Sequence, residues 1–599
     1  MICILSYLKI VYFSVLFVFK SSRLLTTTQF LIKLSIGFIP FFNIYLIEKL
    51  FSSLIDVFQK NSDVMNCYFW SSLLALINFF LFLLNSLNNY LQKKIAFQFE
   101  EKLKTSLLLS SKKIPYQSFE SSQFQNKYSR MLQSHNSLLN TFDSVLSIVQ
   151  SFVSLISVTF YLIKLHILFS LIIFIMIIPL MIIEMKYGKV RFDLNVGLSE
   201  NSRKLHYLEN LLVNKSTLKE IRLGQKENYI LKNWIKSFKV NAVSQMKIEK
   251  KQMYLQSVVQ IIISLSFVFS ISLVIYLVSN SLLKLAALTA VIQAVQNLQG
   301  IVPSFANNLA NSYEATLSVD EFQKFQNQLG KTDNIKKLDI EKLEVLTVKN
   351  LNYYYPNSHH KALNNINLSI SKSKKIAIMG NNGSGKSTLV KCMTGLYESK
   401  NSVLLNNEYL IEDVNLESLW NEVNVMFQDF NKYEMTMAEN ISMDNLNINN
   451  EKLESLLELV GLKDLFDQFP NKSNTQLGNL FNKGKELSGG QWQKIALARA
   501  IYNQKSFLFL DEPTSALDPD SEYQVIESIL KKLNEVGIIY ITHRVNVAKL
   551  ADIIIYMKNG EITEQGTHEE LIKKGGDYSE VFERQIGSLI EHKEGVINA

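Results

Sequence analysis

Cysteine is almost missing from this chain of 599 residues: Cys3, Cys67 and Cys392 stand far apart and form no CxxC pair. That spacing excludes a disulfide scaffold and a cysteine zinc cluster. Proline (8) and glycine (22) are scarce, which excludes long Pro- or Gly-rich linkers. Charge is thin as well. Charged residues make up 19%, against about 25% in ordinary soluble domains. A disordered chain, a collagen-like chain and an acidic scaffold are therefore excluded. Apolar residues fill the gap at 47%, so an all-soluble enzyme does not fit. At about 100–200 residues per domain, the length allows three to five domains, part membrane and part soluble. The net charge of +8 has two readings: nucleic-acid binding, or cationic loops that orient membrane spans.

The apolar residues are concentrated. Segments 64–92, 144–163, 165–183, 252–283 and 285–313 contain no Asp, Glu, Lys or Arg. A bilayer span needs about 20 such residues. Segment 24–47 is interrupted only by Lys33, near its start, where a lysine can snorkel. Six spans are expected, over about 24–47, 64–92, 144–163, 165–183, 252–279 and 285–308. Residues 1–23 are apolar but short. A signal peptide is one reading. Lys9 inside the stretch and the lack of a cleavage site favour the other, an interfacial elbow helix. The loop 93–142 carries eight Lys/Arg and the loop 185–251 carries fifteen, so both loops and both termini are expected in the cytoplasm. These loops are too long for turns, so the spans should continue as helices beyond the membrane. Leu205, Leu208 and Leu212 share one helical face there.

The polar stretch 321–342 reads as a linker that closes a membrane domain over 24–320. From 343 to 590, β-branched strand runs alternate with helices, as in an α/β domain, and 591–599 form a tail. Lys374–Thr388 is strand, Gly-rich loop and helix. Gly380, Asn381, Asn382, Gly383, Ser384, Gly385, Lys386, Ser387 and Thr388 fit a phosphate-cradling loop. Lys386 would reach phosphate oxygens and Ser387 would bind Mg²⁺. Phe507–Glu512 is an apolar strand ending in two carboxylates. Asp511 can hold Mg²⁺ and Glu512 can polarise the attacking water. Ser488-Gly489-Gly490-Gln491 opens a helix and offers a second anion site.

These motifs, with Ser515-Ala516-Leu517-Asp518 and Ile541-Thr542-His543, have the order and spacing of the ATP-binding cassette (ABC) transporters, which the chain resembles over nearly its whole length. The resemblance implies a membrane α-helical domain of six transmembrane helices, type I ABC exporter-like, followed by an α/β P-loop nucleotide-binding domain. It implies ATP and Mg²⁺ as ligands, ATP hydrolysis and no nucleic-acid partner. It implies that Tyr355 stacks on adenine, with Tyr353 and Tyr354 as alternatives. It gives Gln428 a contact to Mg²⁺, His543 one to the γ-phosphate, and Asp518 a place beside the nucleotide. Ser488 and Gly490 would bind ATP held by a second subunit, and the intact motifs favour a homodimer in the plasma membrane. Thr475-Gln-Leu-Gly478-Asn479 departs from the family, which often has glutamate where Asn479 stands.

Ser216–Leu223 and Gly484–Gln493 are similar to the nisin- and subtilin-type lantibiotic exporters. That likeness implies a modified antimicrobial peptide as cargo, and raises a peptide-modification complex as a partner. No peptidase domain is expected, because only Cys3 precedes the first span. A multidrug or lipid exporter is the alternative; an ATP-gated channel or regulatory subunit is a third reading. Abundant Asn, Lys and Ile suit an AT-rich, low-GC Gram-positive genome.

Overall fold

The computed structural model describes residues 2–59, 64–330, 337–356, 358–443, 449–515 and 517–585. The tail 591–599 lies outside the described residues, as does part of the expected linker. The chain forms two compact units.

The first unit is helical. Its helices are α1 (Ile2–Ser21), α2 (Arg23–Phe58), α3 (Met65–Ser110), α5 (Ser122–Leu165), α6 (Leu168–Gly197), α7 (Ser199–Val213), α8 (Lys215–Leu223), α9 (Glu227–Ser279) and α10 (Ala286–Gly330). Among the described residues, four stretches are long and apolar enough to cross a membrane: α2, α3, the Asn136–Leu165 part of α5, and α9. Helices α6 and α10 stand where the fourth and sixth spans are expected. The long loops do continue as helix. With 46 residues, α3 is about 69 Å long, more than twice the hydrocarbon thickness.

Helix α10 has two faces. Ala290, Ala294, Leu298, Val302, Ala306 and Ala310 are buried. Small residues at this spacing let neighbouring backbones approach closely. The helix runs on to Gly330, so the expected linker starts ten residues too early at 321. Polarity misled there, because Asp320 and Lys324 form an i,i+4 pair on a helix.

The second unit is α/β. A four-stranded antiparallel sheet runs β2 (Lys361–Ser371), β1 (Val345–Tyr354), β4 (Val403–Leu405), β5 (Tyr409–Leu410). A six-stranded sheet runs β10 (Glu561–Gly566), β9 (Ile553–Lys558), β3 (Lys375–Gly380), β8 (Gly537–Ile541), β7 (Phe507–Asp511), β6 (Val423–Met426). Strands β3, β7 and β8 are buried at every residue, which explains their unbroken apolar sequences. Along β3, Ile376 and Ile378 enter one core while Ala377 and Met379 enter the other. Residues 338–340 already belong here: Leu338 N–H donates to Asp413 O at 2.9 Å and Ile340 N–H to Ser418 Oγ at 3.0 Å. So do Pro115–Glu120, which include the short helix α4 (Tyr116–Phe119). By sequence they fall inside the membrane domain expected over 24–320. Their polar and aromatic side chains instead bond to residues of this unit.

Candidate ATP site

Strands β6, β7, β8 and β3 are neighbours and parallel, so their carboxyl ends share one edge. Ligands of open α/β sheets bind outside that edge. Gln428 follows β6, Glu512 follows β7, His543 follows β8, and the glycine-rich loop follows β3. Residues far apart in sequence thus meet because the strands that carry them are adjacent.

Gln428 Nε2 donates to Glu512 Oε2 at 2.7 Å. His543 Nε2 lies 2.8 Å from Glu512 Oε1. Both oxygens of Glu512 are therefore held by residues the sequence assigns to the same site. Glu512 takes φ 47°, a left-handed conformation that few non-glycine residues adopt. Its N–H donates to Ile541 O at 3.2 Å, which helps to fix it. Such backbone conformations concentrate at functional sites.

The loop Gly380–Gly385 leads into the helix Lys386–Met393. Gly385 has φ 98°, and a Cβ there would meet Ala362 O at 2.7 Å. Asn381, Asn382 and Gly383 form the exposed lip. Lys386 Nζ donates to Gly380 O at 2.9 Å and Asn381 O at 3.0 Å. Burial pushes its ammonium pKa down, opposed by Glu512 and Asp511. A phosphate oxygen in place of the carbonyls would repay that burial. Ser384 Oγ is buried and has no hydrogen-bond partner among the described residues. An orphaned hydroxyl inside a glycine loop at a helix N-terminus fits an anion.

The residues also fit a divalent cation. Burial pushes Asp511 up from the usual carboxylate range, and a hydrogen bond from Ser387 pulls it back. A cation between that hydroxyl and carboxylate would keep Asp511 ionised. Mg²⁺ commonly takes only one or two protein ligands beside substrate phosphates.

The aromatic candidates separate. Tyr353 is buried and stacks on Tyr397, with centroids 5.1 Å apart. Tyr354, the last residue of β1, is exposed. Tyr355 is partly exposed, and its hydroxyl shares a 2.8 Å hydrogen bond with Thr388, in the first turn of the helix that follows the phosphate loop. Of the three tyrosines, Tyr355 joins that turn while keeping an exposed surface. Tyr397, which the sequence reading missed, meets Tyr355 edge-on and donates to Glu120 Oε1 at 2.6 Å. Gln117 Nε2 donates to the Tyr353 hydroxyl at 2.6 Å. No motif marks Tyr397, because its partners lie far away in sequence.

Among the described residues, neither Ser488 nor Asp518 hydrogen-bonds to this cluster. Ser488 caps the helix Gly489–Tyr502 in a reciprocal capping box with Gln491, and Gly490 lies in its first turn. Asp518 caps the helix Pro519–Lys532, and hydrogen bonds from Ser521 hold its carboxyl below the usual range. Within one chain these two residues cap helices. Two more residues were missed. Gln493 Nε2 donates to Glu512 O at 3.1 Å and to Ser515 Oγ at 3.2 Å. Gln585 Nε2 donates to His543 O at 2.7 Å. Both brace the backbone beside the Glu512–His543 pair.

Comparisons with known proteins agree with this geometry. Residues 363–515 match the ABC transporter family. The subtilin transport ATP-binding protein SpaT of Bacillus subtilis is 29% identical, over 96% of this chain and 93% of the relative. The nisin transport ATP-binding protein NisT of Lactococcus lactis is 29% identical, over 91% of each. An ATP-dependent lipid A-core flippase of Wigglesworthia glossinidia is also 29% identical, over 69% of this chain and 70% of the relative. A bacterial Atm1-family ABC exporter solved with ATP bound has the same fold, with TM-score 0.78 and 17% identity over 94% of this chain and 98% of that one. Residues 363–515 thus form an ABC transporter domain, of the kind that binds and hydrolyses ATP, and the chain has the type I ABC exporter fold, with a helical domain ahead of that α/β domain.

Proposed function

We propose that two copies of this chain form an exporter that moves a modified antimicrobial peptide of the lantibiotic type from the cytoplasm outward, with both termini cytoplasmic. Both relatives aligned over nine-tenths of the chain bear the names of subtilin and nisin transport.

The single observation that carries the cargo reading is a stripe on α10. Gln293, Gln296, Gly300, Ser304, Asn307 and Asn311 recur every three or four residues, so they share one face. All but Gln293 are exposed in the single chain, and Gln293 is half-buried. Among the described residues, no amide of this stripe bonds to another helix. Gln293 Nε2 donates to Asn297 Oδ1, at 3.3 Å, in its own helix. Amides in a membrane segment are costly unless they face protein or water. No charge lies between 285 and 313, so the stripe offers donors and acceptors without selecting a sign. A peptide backbone presents the matching amides in series.

In this reading Tyr355 stacks on adenine. Gly380–Thr388 hold the phosphates, and Ser387, Asp511 and Gln428 would hold Mg²⁺, which neutralises phosphate charge when bound. Glu512 orients and polarises the attacking water, and His543 contacts the γ-phosphate. Ser488 and Gly490 face the ATP of the partner copy, and Asp518 lies beside the nucleotide. ATP binding closes the paired domains and hydrolysis reopens them, which switches the access of the path.

Replacing Gln293 and Gln296 by Leu tests the cargo reading. ATPase stimulation by a lanthionine-containing precursor peptide should disappear while basal ATPase and thermal stability persist. Loss of stability first would mean that the amides pack helices. Unchanged stimulation would remove the stripe from the path, and stimulation of the parent by lipid alone would favour a lipid cargo.

A further inference from the structure

Residues 475–485, which lead into Ser488, contain two lysines and no acid. A carboxylate reaches them from another loop. Glu434, six residues after Gln428, lays its side chain across Gly478: a Cβ on Gly478 would stand 1.6 Å from Glu434 Oε2. The same oxygen accepts the Leu480 N–H at 3.1 Å. Gly478 has φ 83°, which leaves the space the carboxylate occupies.

We propose that Glu434 is a positioning residue for ATP hydrolysis, locking the loop after Gln428 to the loop before Ser488. The two loops are joined at their base by backbone bonds. Leu477 N–H donates to Met435 O and Met437 N–H to Thr475 O, both at 2.9 Å. Gln476 Nε2 donates to Glu434 O at 2.8 Å. These bonds stop short of the tip at 479–480. The Glu434 side chain reaches that tip. Gly478 N–H then donates to Lys485 O at 2.8 Å, three residues before Ser488.

At the other end of the linkage, Gln428 holds Glu512 at 2.7 Å. The intervening loop is fastened by Arg499, which donates to Asn431 O at 3.2 Å and lies 4.3 Å from the Tyr433 ring centre. A shift of the loop before Ser488 is therefore passed through Glu434 toward the Gln428–Glu512 pair, and the reverse. Reach matters more than charge, because the accepted bond comes from one neutral backbone N–H. The role of Ser488 rests on the exporter reading. The lock itself lies within one chain and is tested there.

The test uses full-length protein in lipid nanodiscs, with MgATP turnover, melting temperature and hydrogen exchange over 476–485. Glu434→Gln keeps the length and an acceptor oxygen, so kcat should stay within about twofold of the parent. Glu434→Asp keeps the charge but falls one methylene short. Glu434→Asp and Glu434→Ala should each lower kcat by about threefold or more, the scale of one half-exposed hydrogen bond, and speed exchange at 476–485. The KM for ATP should change less than about twofold, since the phosphate loop is untouched. If Glu434→Ala does not fold, the Asp and Gln pair decides alone. A spared Asp variant with an impaired Gln variant would overturn the lock in favour of a charge effect. Parent-like kcat and exchange in the Asp variant would overturn it outright. A dimer with Ser488 altered in one copy and Lys386 in the other that shows no effect of the pairing would count against the role of Ser488 across subunits, and would leave these single-chain readouts standing.

Discussion

The two units of this protein carry the proposed function in different ways. The ATP-binding domain concentrates it: Gln428, Glu512 and His543 converge within 2.8 Å contacts at one sheet edge. In the reading proposed above, the helical domain spreads it along the amide stripe of α10. The first arrangement depends on single atoms, and the second on a repeated surface. Single substitutions should therefore be severe in the first and graded in the second.

The largest effect is expected at Glu512. Glu512→Gln keeps the length and one acceptor oxygen but removes the general base, so turnover should fall at least about 100-fold. Near-parent hydrolysis measured by phosphate release would take Glu512 out of that role. Next comes Lys386. In the proposed site its ammonium would supply a charge-assisted bond to phosphate worth about 1.5–3 kcal/mol, so Lys386→Ala should weaken ATP binding roughly tenfold or more. Equilibrium titration with a fluorescent ATP analogue checks it, and unchanged affinity would contradict the phosphate-loop assignment.

A smaller effect separates local chemistry from its support. Tyr397→Phe removes the bond to Glu120 and leaves the ring stacked on Tyr353. We expect the ATP-binding domain to lose about 1–2 kcal/mol of stability, with ATP affinity almost unchanged. Differential scanning calorimetry with and without ATP distinguishes this from a direct nucleotide contact, which would lower affinity instead.

What could be read from the sequence follows the same division. The phosphate loop, the Asp511–Glu512 strand end and His543 are local patterns on buried parallel strands, so their meeting could be anticipated. Tyr397, Gln585 and Glu434 could not, since each acts on a partner more than 40 residues away through one side chain. The expected linker failed because Lys324 and its neighbours are polar yet helical. The placement of Pro115–Glu120 failed because a six-residue excursion from two long helices leaves no compositional trace. The amides of α10 were visible, but whether they faced neighbouring helices depended on where Ala290, Ala294 and Ala306 packed.

The most direct test of the central claim places a photo-crosslinking amino acid at Gln296 or Asn307 on the stripe, and at Ile261 or Leu265, which are exposed apolar positions of α9. Each reconstituted protein is irradiated with an isotope-labelled, lanthionine-containing precursor peptide, and labelled peptide adducts are counted by mass spectrometry. The account predicts adducts at 296 and 307 that unlabelled precursor peptide suppresses, and background yield at 261 and 265. Equal yields at all four positions, or adducts at 261 and 265 alone, would contradict it.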